Sequence, residues 1–331
     1  MKPLSQLLLA LLTLLLTACG VAKDRVRFEG KLSGINDAQI FIYSDEGGFE
    51  GIDTIHIADG SFVYERKLIK PVLATILYPN YTQTSVILEP GKVIKLKGEA
   101  ARVGEAEITG SDENALLTEF RQSVSGKPQT ATILAATDFI EANSETMAAV
   151  NVFKTYFTKS EKTDPQEALR LLTLLRHKQP QNYVVRYLWS FYQPIFSTGA
   201  GEKLPAFEAK TTAGGTVSAA QYVGKPLAII GYAGWSTESQ AFLRQFRQEV
   251  ERRGKQCEVL LISFDVDKAS VTRQLATLHV DYPMVCDRKA FNSPLVTKLG
   301  LRYVPSVMTV NSKGCIVQRD VTDLTKLRWD F

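Results

Sequence analysis

Dithiol pairs are missing from this sequence: no Cys-x-x-Cys occurs, and the four cysteines, Cys19, Cys257, Cys286 and Cys315, are widely spaced. A redox centre built from two neighbouring thiols in one motif is thereby excluded. Histidine is nearly as scarce. His56, His177 and His279 fall in no metal-ligand spacing, so neither a metal site nor another cofactor is expected. Charge of one sign is lacking too, since 39 Lys and Arg face 35 Asp and Glu. That balance offers no nucleic-acid footprint and no polybasic membrane patch. The absence of Gly-x-Ser-x-Gly removes a nucleophile elbow. After residue 19, no apolar run approaches the ~20 residues that a membrane-spanning helix needs.

The one long apolar run is at the start. Lys2 precedes an almost unbroken stretch from Leu7 to Leu16, which reads as a secretory signal rather than a membrane span. It ends in Leu16-Thr17-Ala18-Cys19-Gly20, which is similar to a bacterial lipobox. That resemblance implies cleavage before Cys19 and acylation of its thiol. Two or three acyl chains anchor stably, because each buried CH₂ contributes about 0.8 kcal/mol. Gly20 gives no inner-membrane retention cue of the aspartate type. A lipid-anchored envelope protein is therefore expected, held at the outer membrane and facing the periplasm. With Cys19 lipidated, Cys257, Cys286 and Cys315 allow at most one disulfide in a compartment that permits them.

Residues 25–110 read as all-β. Arg25 to Leu32 alternates, Ala38 to Tyr43 follows, and Asp59-Gly60 carries a hairpin signal between Thr54–Ile57 and Ser61–Arg66. Pro71–Leu77, Gln83–Leu88 and Lys92–Lys97 continue the pattern, with a turn at Glu89-Pro90-Gly91. A small sandwich or barrel is expected. Phe28-Glu29-Gly30-Lys31-Leu32, the Asp59-Gly60-Ser61-Phe62 turn, Leu88-Glu89-Pro90-Gly91 and Thr109-Gly110-Ser111 resemble the N-terminal β-domain of many envelope lipoproteins of Gram-negative anaerobes. That family supplies no catalytic residue to transfer. Tyr43, Tyr64, Tyr78 and Tyr81 are the only platforms this segment offers for ligand or glycan capture.

Residues 111–195 turn helical and read as a connector. Ser111 or Asp112 can cap one helix, Asn143 or Ser144 another, and Asp164-Pro165 starts a third. Tyr183, Tyr187, Trp189, Phe191 and Tyr192 form an aromatic cluster expected to be packing. Residues 196–203 look like a linker, and a last domain is expected over 204–331.

From Leu204 a set of landmarks falls in order: Leu204-Pro205-Ala206-Phe207, Gly224-Lys225-Pro226, the apolar strand Leu227–Tyr232, then Ala233-Gly234-Trp235-Ser236-Thr237-Glu238-Ser239. Val259–Phe264, Tyr282–Val285 and Gly300-Leu301-Arg302-Tyr303-Val304-Pro305-Ser306 follow. These resemble the thioredoxin-like reductases and peroxiredoxin relatives of bacterial envelopes, and imply an α/β thioredoxin-like fold. The resemblance places Ser236 and Ser239 where the family carries its two cysteines, and makes Val304-Pro305 its cis-proline loop.

In that family the first cysteine attacks as a thiolate stabilised by a helix N-terminus, and the second resolves the mixed disulfide. A serine hydroxyl barely ionises near neutral pH and forms no disulfide. The expectation is a redox-inactive domain with no catalytic residue, Ser236 capping a helix and Glu238 in its first turn. The resemblance implies a peptide-docking groove bordered by Tyr232, Trp235, Tyr303, Val304 and Pro305, for a protein or peptide partner. The competing expectation is an oxidoreductase or peroxidase of altered design. It would use Cys286, which ends a short strand on the site side of the sheet.

Overall fold

The computed structural model describes residues 21–45, 47–158, 164–254 and 257–331. The signal, the lipobox and Cys19 lie outside the described residues. No described helix is long and apolar enough to cross a membrane. Two compact units form. The first contains the residues up to 163 together with Leu171–Trp189, and the second contains Asp164–Arg170 and Ser190–Phe331.

In the first unit, seven strands follow one another: β1 (Arg25–Ser33), β2 (Ala38–Tyr43), β3 (Ile52–Ile57), β4 (Ser61–Lys67), β5 (Val72–Leu77), β6 (Gln83–Leu88) and β7 (Val93–Glu99). A short β8 (Glu107–Thr109) comes after a 3₁₀ segment at Ala100–Glu105. They form two four-stranded sheets, ordered β4-β1-β7-β8 and β3-β2-β5-β6. Strand alternation sends Val26, Phe28 and Leu32 of β1, Ile40 and Ile42 of β2, and Ile94 and Leu96 of β7 into one shared core. This is a β-rich domain of the kind the sequence implies.

The Asp59-Gly60 turn departs from the expected hairpin. Ala58 and Ser61 do exchange two backbone hydrogen bonds, each 2.9 Å. Both turn residues have positive φ, 49° and 70°. Yet β3 and β4 belong to different sheets, so the turn is a corner between the layers. Strand β4 takes β1 rather than β3 as its partner. A Cβ on Gly60 would lie 2.6 Å from the Leu32 carbonyl oxygen, so the chain passes hard against the end of β1, with which β4 pairs. Glu89-Pro90-Gly91 is likewise a corner, from β6 to β7, and β7 pairs in parallel with β1.

Three helices follow, α1 (Asp112–Val124), α2 (Gln129–Ala142) and α3 (Met147–Phe157); α1 and α3 pack on the sandwich, and α2 packs against those two helices. Ser111 caps α1, its Oγ accepting from the Asn114 N–H at 3.3 Å. The cap of α3 is Thr146 rather than Asn143 or Ser144. Glu113 of α1 accepts the Met147 and Ala148 N–H groups at 3.0 and 2.8 Å, placing negative charge at the α3 N-terminus. The sequence reading had no counterpart for α2, which begins after Pro128 without a side-chain cap.

Asn114 ties α1 to the edge strand β6. It is fully buried, its Oδ1 accepts from the Ile87 N–H at 3.0 Å, and its Nδ2 donates to the Ile87 carbonyl at 2.7 Å. The amide thus replaces the missing neighbour strand. Two further helices, α4 (Pro165–Lys178) and α5 (Tyr183–Phe196), follow. Val184, Val185 and Leu188 are the buried residues of the first part of α5, whereas Tyr187 is exposed.

The second unit holds a five-stranded sheet ordered β13-β12-β11-β14-β15. Its strands are β11 (Leu227–Tyr232), β12 (Glu258–Ser263), β13 (Met284–Val285), β14 (Ser306–Val310) and β15 (Ile316–Val321), while β9 (Glu208–Lys210) and β10 (Thr216–Ser218) pair separately. The first three run parallel, and β14 and β15 are antiparallel. Every residue of β11 is buried, as a central strand covered on both faces requires. Leu227 and Ile229 face one core with Leu260 and Met308. Ala228, Ile230 and Tyr232 face another with Phe242 and Phe246. Phe242 and Phe246 come from α6 (Thr237–Arg252), and α7 (Lys268–Thr277) adds Val271 and Leu275. Between β13 and β14 lie the 3₁₀ turn Ala290–Asn292 and the short α8 (Pro294–Lys298), with Arg288 and Ala290 both at positive φ.

Replacing Asn114 with leucine should strand the Ile87 N–H and C=O in the interior. Each unsatisfied buried group costs about 1–3 kcal/mol. Denaturant unfolding should show the first unit destabilised by roughly 2–4 kcal/mol, and Asn114→Gln should not restore the loss.

Candidate functional site

The site is built where β11 ends and α6 begins. Ser236 is the N-cap of α6, with β-region backbone angles (φ −99°, ψ 119°). Its Oγ accepts from the Ser239 N–H at 3.1 Å and donates to Glu238 Oε2 at 2.9 Å. The first turn of a helix leaves four N–H groups without intrahelical partners, and a serine oxygen at the cap meets one of them. Ser239 faces inward, only 1% exposed, and its Oγ accepts from the Ala233 N–H at 3.3 Å. Both hydroxyls are therefore engaged with the local backbone. The Glu238 carboxyl is held below its ordinary value, first by its own backbone N–H and next by the Ser236 hydroxyl.

Gly234 sits in a cradle of side chains. Its N–H donates to both carboxylate oxygens of Asp265, at 3.1 and 2.9 Å. Its carbonyl accepts from Gln240 Nε2 at 3.1 Å and Gln274 Nε2 at 2.9 Å. A Cβ at position 234 would lie 2.6 Å from Gln274 Oε1 and 3.1 Å from Asp265 Oδ1, so a larger residue would displace the Gln274 amide from the cradle. Asp265 is itself buried and accepts from Ser263 Oγ at 2.8 Å. Sequence reasoning missed Asp265, Gln240 and Gln274 as site residues. The available signal was a glutamine between Val271 and Leu275, on a helix face that is otherwise buried.

Tyr232 requires a correction. It was expected to border a groove, but it is fully buried against α6 and α7, and its hydroxyl donates to Gln274 Oε1 at 3.0 Å. Burial, assisted by the Asp265 charge, pushes its phenol up to about 12. The period-2 alternation of β11 explains the placement, since Tyr232 shares its face with Ala228 and Ile230.

The other expected residues lie at the surface. Trp235 is 64% exposed, with its indole N–H directed at the Phe264 carbonyl, 3.4 Å away. Tyr303 is 58% exposed, and Val304 and Pro305 are half-buried. The Val304-Pro305 peptide is cis. Ser306 Oγ donates to the Tyr303 carbonyl at 2.8 Å, fixing the loop just before β14. Phe291, half exposed, packs edge-on to the buried Phe264 at 4.8 Å, and exposed Val266 follows two residues on.

Cys286 is partly buried, and its Sγ approaches the Asp265 carbonyl at 3.5 Å. None of Cys257, Cys286 and Cys315 is bridged to another. Of the candidate platform tyrosines, Tyr43 accepts from Gln83 Nε2 at 3.2 Å. Tyr78 is buried, Tyr64 donates to Asp53 Oδ2 at 2.6 Å, and Tyr81 is 86% exposed.

Residues 200–319 match the AhpC/TSA family, and residues 26–117 match a domain of unknown function, DUF4369. The C-terminal unit is thus a thioredoxin-like α/β domain, joined to an N-terminal β-rich domain with helices between them. A search of curated proteins finds no match. Among solved structures, the chain is similar to the C-terminal domain of a proposed thiol-disulfide oxidoreductase from Bacteroides thetaiotaomicron. That match has 24% identity, 38% of this chain and 88% of that one covered, and a TM-score of 0.34. It is also similar to a thiol-disulfide oxidoreductase from Bacteroides fragilis, at 20% identity, with 38% and 94% covered and a TM-score of 0.34.

Ser236→Ala should lower the stability of the second unit by about 1 kcal/mol, and Ser236→Gly by only a few tenths. Glu238 should titrate below its ordinary 4.5. Because the folded value is depressed, the contribution is present above the ordinary carboxylate range and lost as pH falls through the folded midpoint. Carboxyl-resolved NMR titration should show that midpoint moving upward in Ser236→Ala.

Proposed function

We propose that the thioredoxin-like domain is a protein-docking module without disulfide exchange, carried on a chain tethered by acylated Cys19 at the periplasmic side of the outer membrane. Ser236 and Ser239 stand at the two cysteine positions of the family. One observation carries this reading: both hydroxyls are committed to backbone N–H groups around the helix start, Ser236 to Ser239 and Ser239 to Ala233. Oxygen there closes the helix end but passes no electrons between thiols. Trp235, Val266, Phe291 and Tyr303 are exposed apolar side chains of this unit, and Phe291 packs against Phe264. The loop before β14, which begins only at Ser306, supplies backbone for an extended partner segment to pair with.

A second reading keeps a thiol function at Cys286, whose Sγ lies beside the backbone of Asp265, the residue that holds the Gly234 N–H. Cys286 is a free thiol, and this reading gives it the exchange step with a disulfide of another molecule.

Two measurements separate the readings. In an insulin or glutathione disulfide reduction assay, the protein should turn over no faster than its Cys257→Ala/Cys286→Ala/Cys315→Ala variant. Turnover that disappears in Cys286→Ala alone would establish the second reading. Trp235→Ala should weaken envelope crosslinking to the partner without changing the unfolding profile, and Cys19→Ala should release the chain from the membrane fraction.

A further inference from the structure

An anchor at Cys19 has almost no slack before the first unit begins. Val21, where the described residues start, is the second residue after it, a span of at most about 7 Å. From there the chain is held at once. The Arg25 N–H donates to the Ala22 carbonyl at 2.8 Å, closing a turn. The Asp24 carbonyl accepts the Leu68 N–H at 2.9 Å, and its carboxylate pairs with Lys67 at 3.2 Å. The Arg25 carbonyl accepts the Gly91 N–H at 2.7 Å. The entry segment is thus fastened to the β4–β5 connection on one side and to the β6–β7 turn on the other.

Register puts these three segments at one end of the sandwich. Arg25 opens β1 opposite Lys67, the last residue of β4, and Arg27 stands opposite Val93, the first residue of β7. The far end, where Ser33 stands opposite Glu99, is the whole length of β1 away, roughly 27 Å. At the near end Ile69 is 90% exposed. It follows the buried Leu68 in the β4–β5 connection and precedes exposed Lys70 and Pro71. Lys23 and Lys92 are exposed at the same end. A lone exposed isoleucine is ordinary on a protein surface, but this one stands beside the point where the anchor leaves the fold. Charge does not decide what it meets. Asp24 offsets Lys67, Glu65 pairs with Arg25 at 3.7 Å, and the β2–β3 loop, held by Ser44 Oγ donating to the Leu73 carbonyl at 2.9 Å, adds Asp45 and Glu50.

We infer that this end of the first unit rests on the phospholipid surface holding the anchor, with Ile69 inserted at the boundary between headgroups and acyl chains. The inference rests on the acylation of Cys19 proposed above. So short a tether makes the second contact intramolecular, and one apolar side chain then suffices where it would not hold a free protein to a bilayer. Lys23 and Lys92 complete the contact by laying their methylene stems along the apolar layer while their ammonium groups reach lipid phosphates. The turn after Ser33 then points away from the membrane. This surface lies wholly in the first unit and does not depend on the thiol chemistry of the second.

The test uses the full chain, purified from membranes in a non-ionic detergent and returned to vesicles of phosphatidylethanolamine and phosphatidylglycerol. The vesicles carry a phospholipid with a diazirine high on its acyl chain, and mass spectrometry reads both the acyl mass on Cys19 and the position of each lipid adduct after illumination. Peptides covering 67–71 and 89–93 should carry about tenfold more adduct than peptides covering 33–37. Ile69→Asp should cut the adducts on 89–93 about threefold or more while the chain stays with the vesicles. Position 69 is at the surface, so this variant leaves the core untouched. Adducts spread evenly over both ends, adducts concentrated on 33–37, no adducts in these protein-free lipids, or an unchanged pattern in Ile69→Asp would each overturn the inference while the anchor stands. An unmodified Cys19 would overturn the anchor and this inference together, and the acyl mass distinguishes the two failures.

Discussion

A helix that starts directly after a buried strand must find partners for N–H groups that its own turns cannot supply. In the second unit this constraint sets the chemistry of the segment from Ala233 to Ser239. Ser236 serves the Ser239 N–H, Ser239 serves the Ala233 N–H, and Asp265 serves the Gly234 N–H. The Ser236 N–H also donates within the arc, to the Ala233 carbonyl at 3.1 Å. A thiolate in the same arc would be stabilised by those same donors, which is how the fold lends itself to redox work. Here the donors are consumed in holding the backbone still.

The same physics recurs in the first unit. Asn114 closes the exposed ladder of β6 through Ile87, and Thr118 does the same for β8, its Oγ1 accepting from the Ile108 N–H at 3.1 Å and donating to the Ile108 carbonyl at 3.0 Å. Helix α1 is thus fastened to both sheets by side chains that imitate a neighbouring strand. Sheet edges treated in this way are also closed to unwanted pairing with another chain. Arg121 lies one turn further along α1 and joins the same pattern through Ser85 and Ala106, but as a charge it has a need that carbonyl oxygens meet only in part.

Much of this was legible in the amino-acid order. The uniformly apolar β11 announced a doubly covered strand, and Ser236 and Glu238 announced a helix start, because caps and burial are local properties. Partner choice was not local. Asp59-Gly60 specified a tight turn correctly, but whether the flanking strands then pair with each other depends on β1, more than twenty residues upstream. Tyr232 looked like a rim residue from its place beside Trp235, and only strand parity shows that it faces the core. Asp265, Gln240 and Gln274 converge on Gly234 from separate elements, and no spacing in the sequence records that meeting.

The parallel pairing of β1 with β7 has a consequence for how the first unit comes into being. Arg27 stands opposite Val93 and Ser33 opposite Glu99, so the opening strand cannot complete its sheet until nearly the whole β-segment has emerged. Its other neighbour, β4, is separated from it by two strands of the opposite layer. Local zippering is therefore unavailable, and the entropy of closing long loops must be met before the ladder gives anything back. A chain built this way closes its first sheet late, only after β7 has been made.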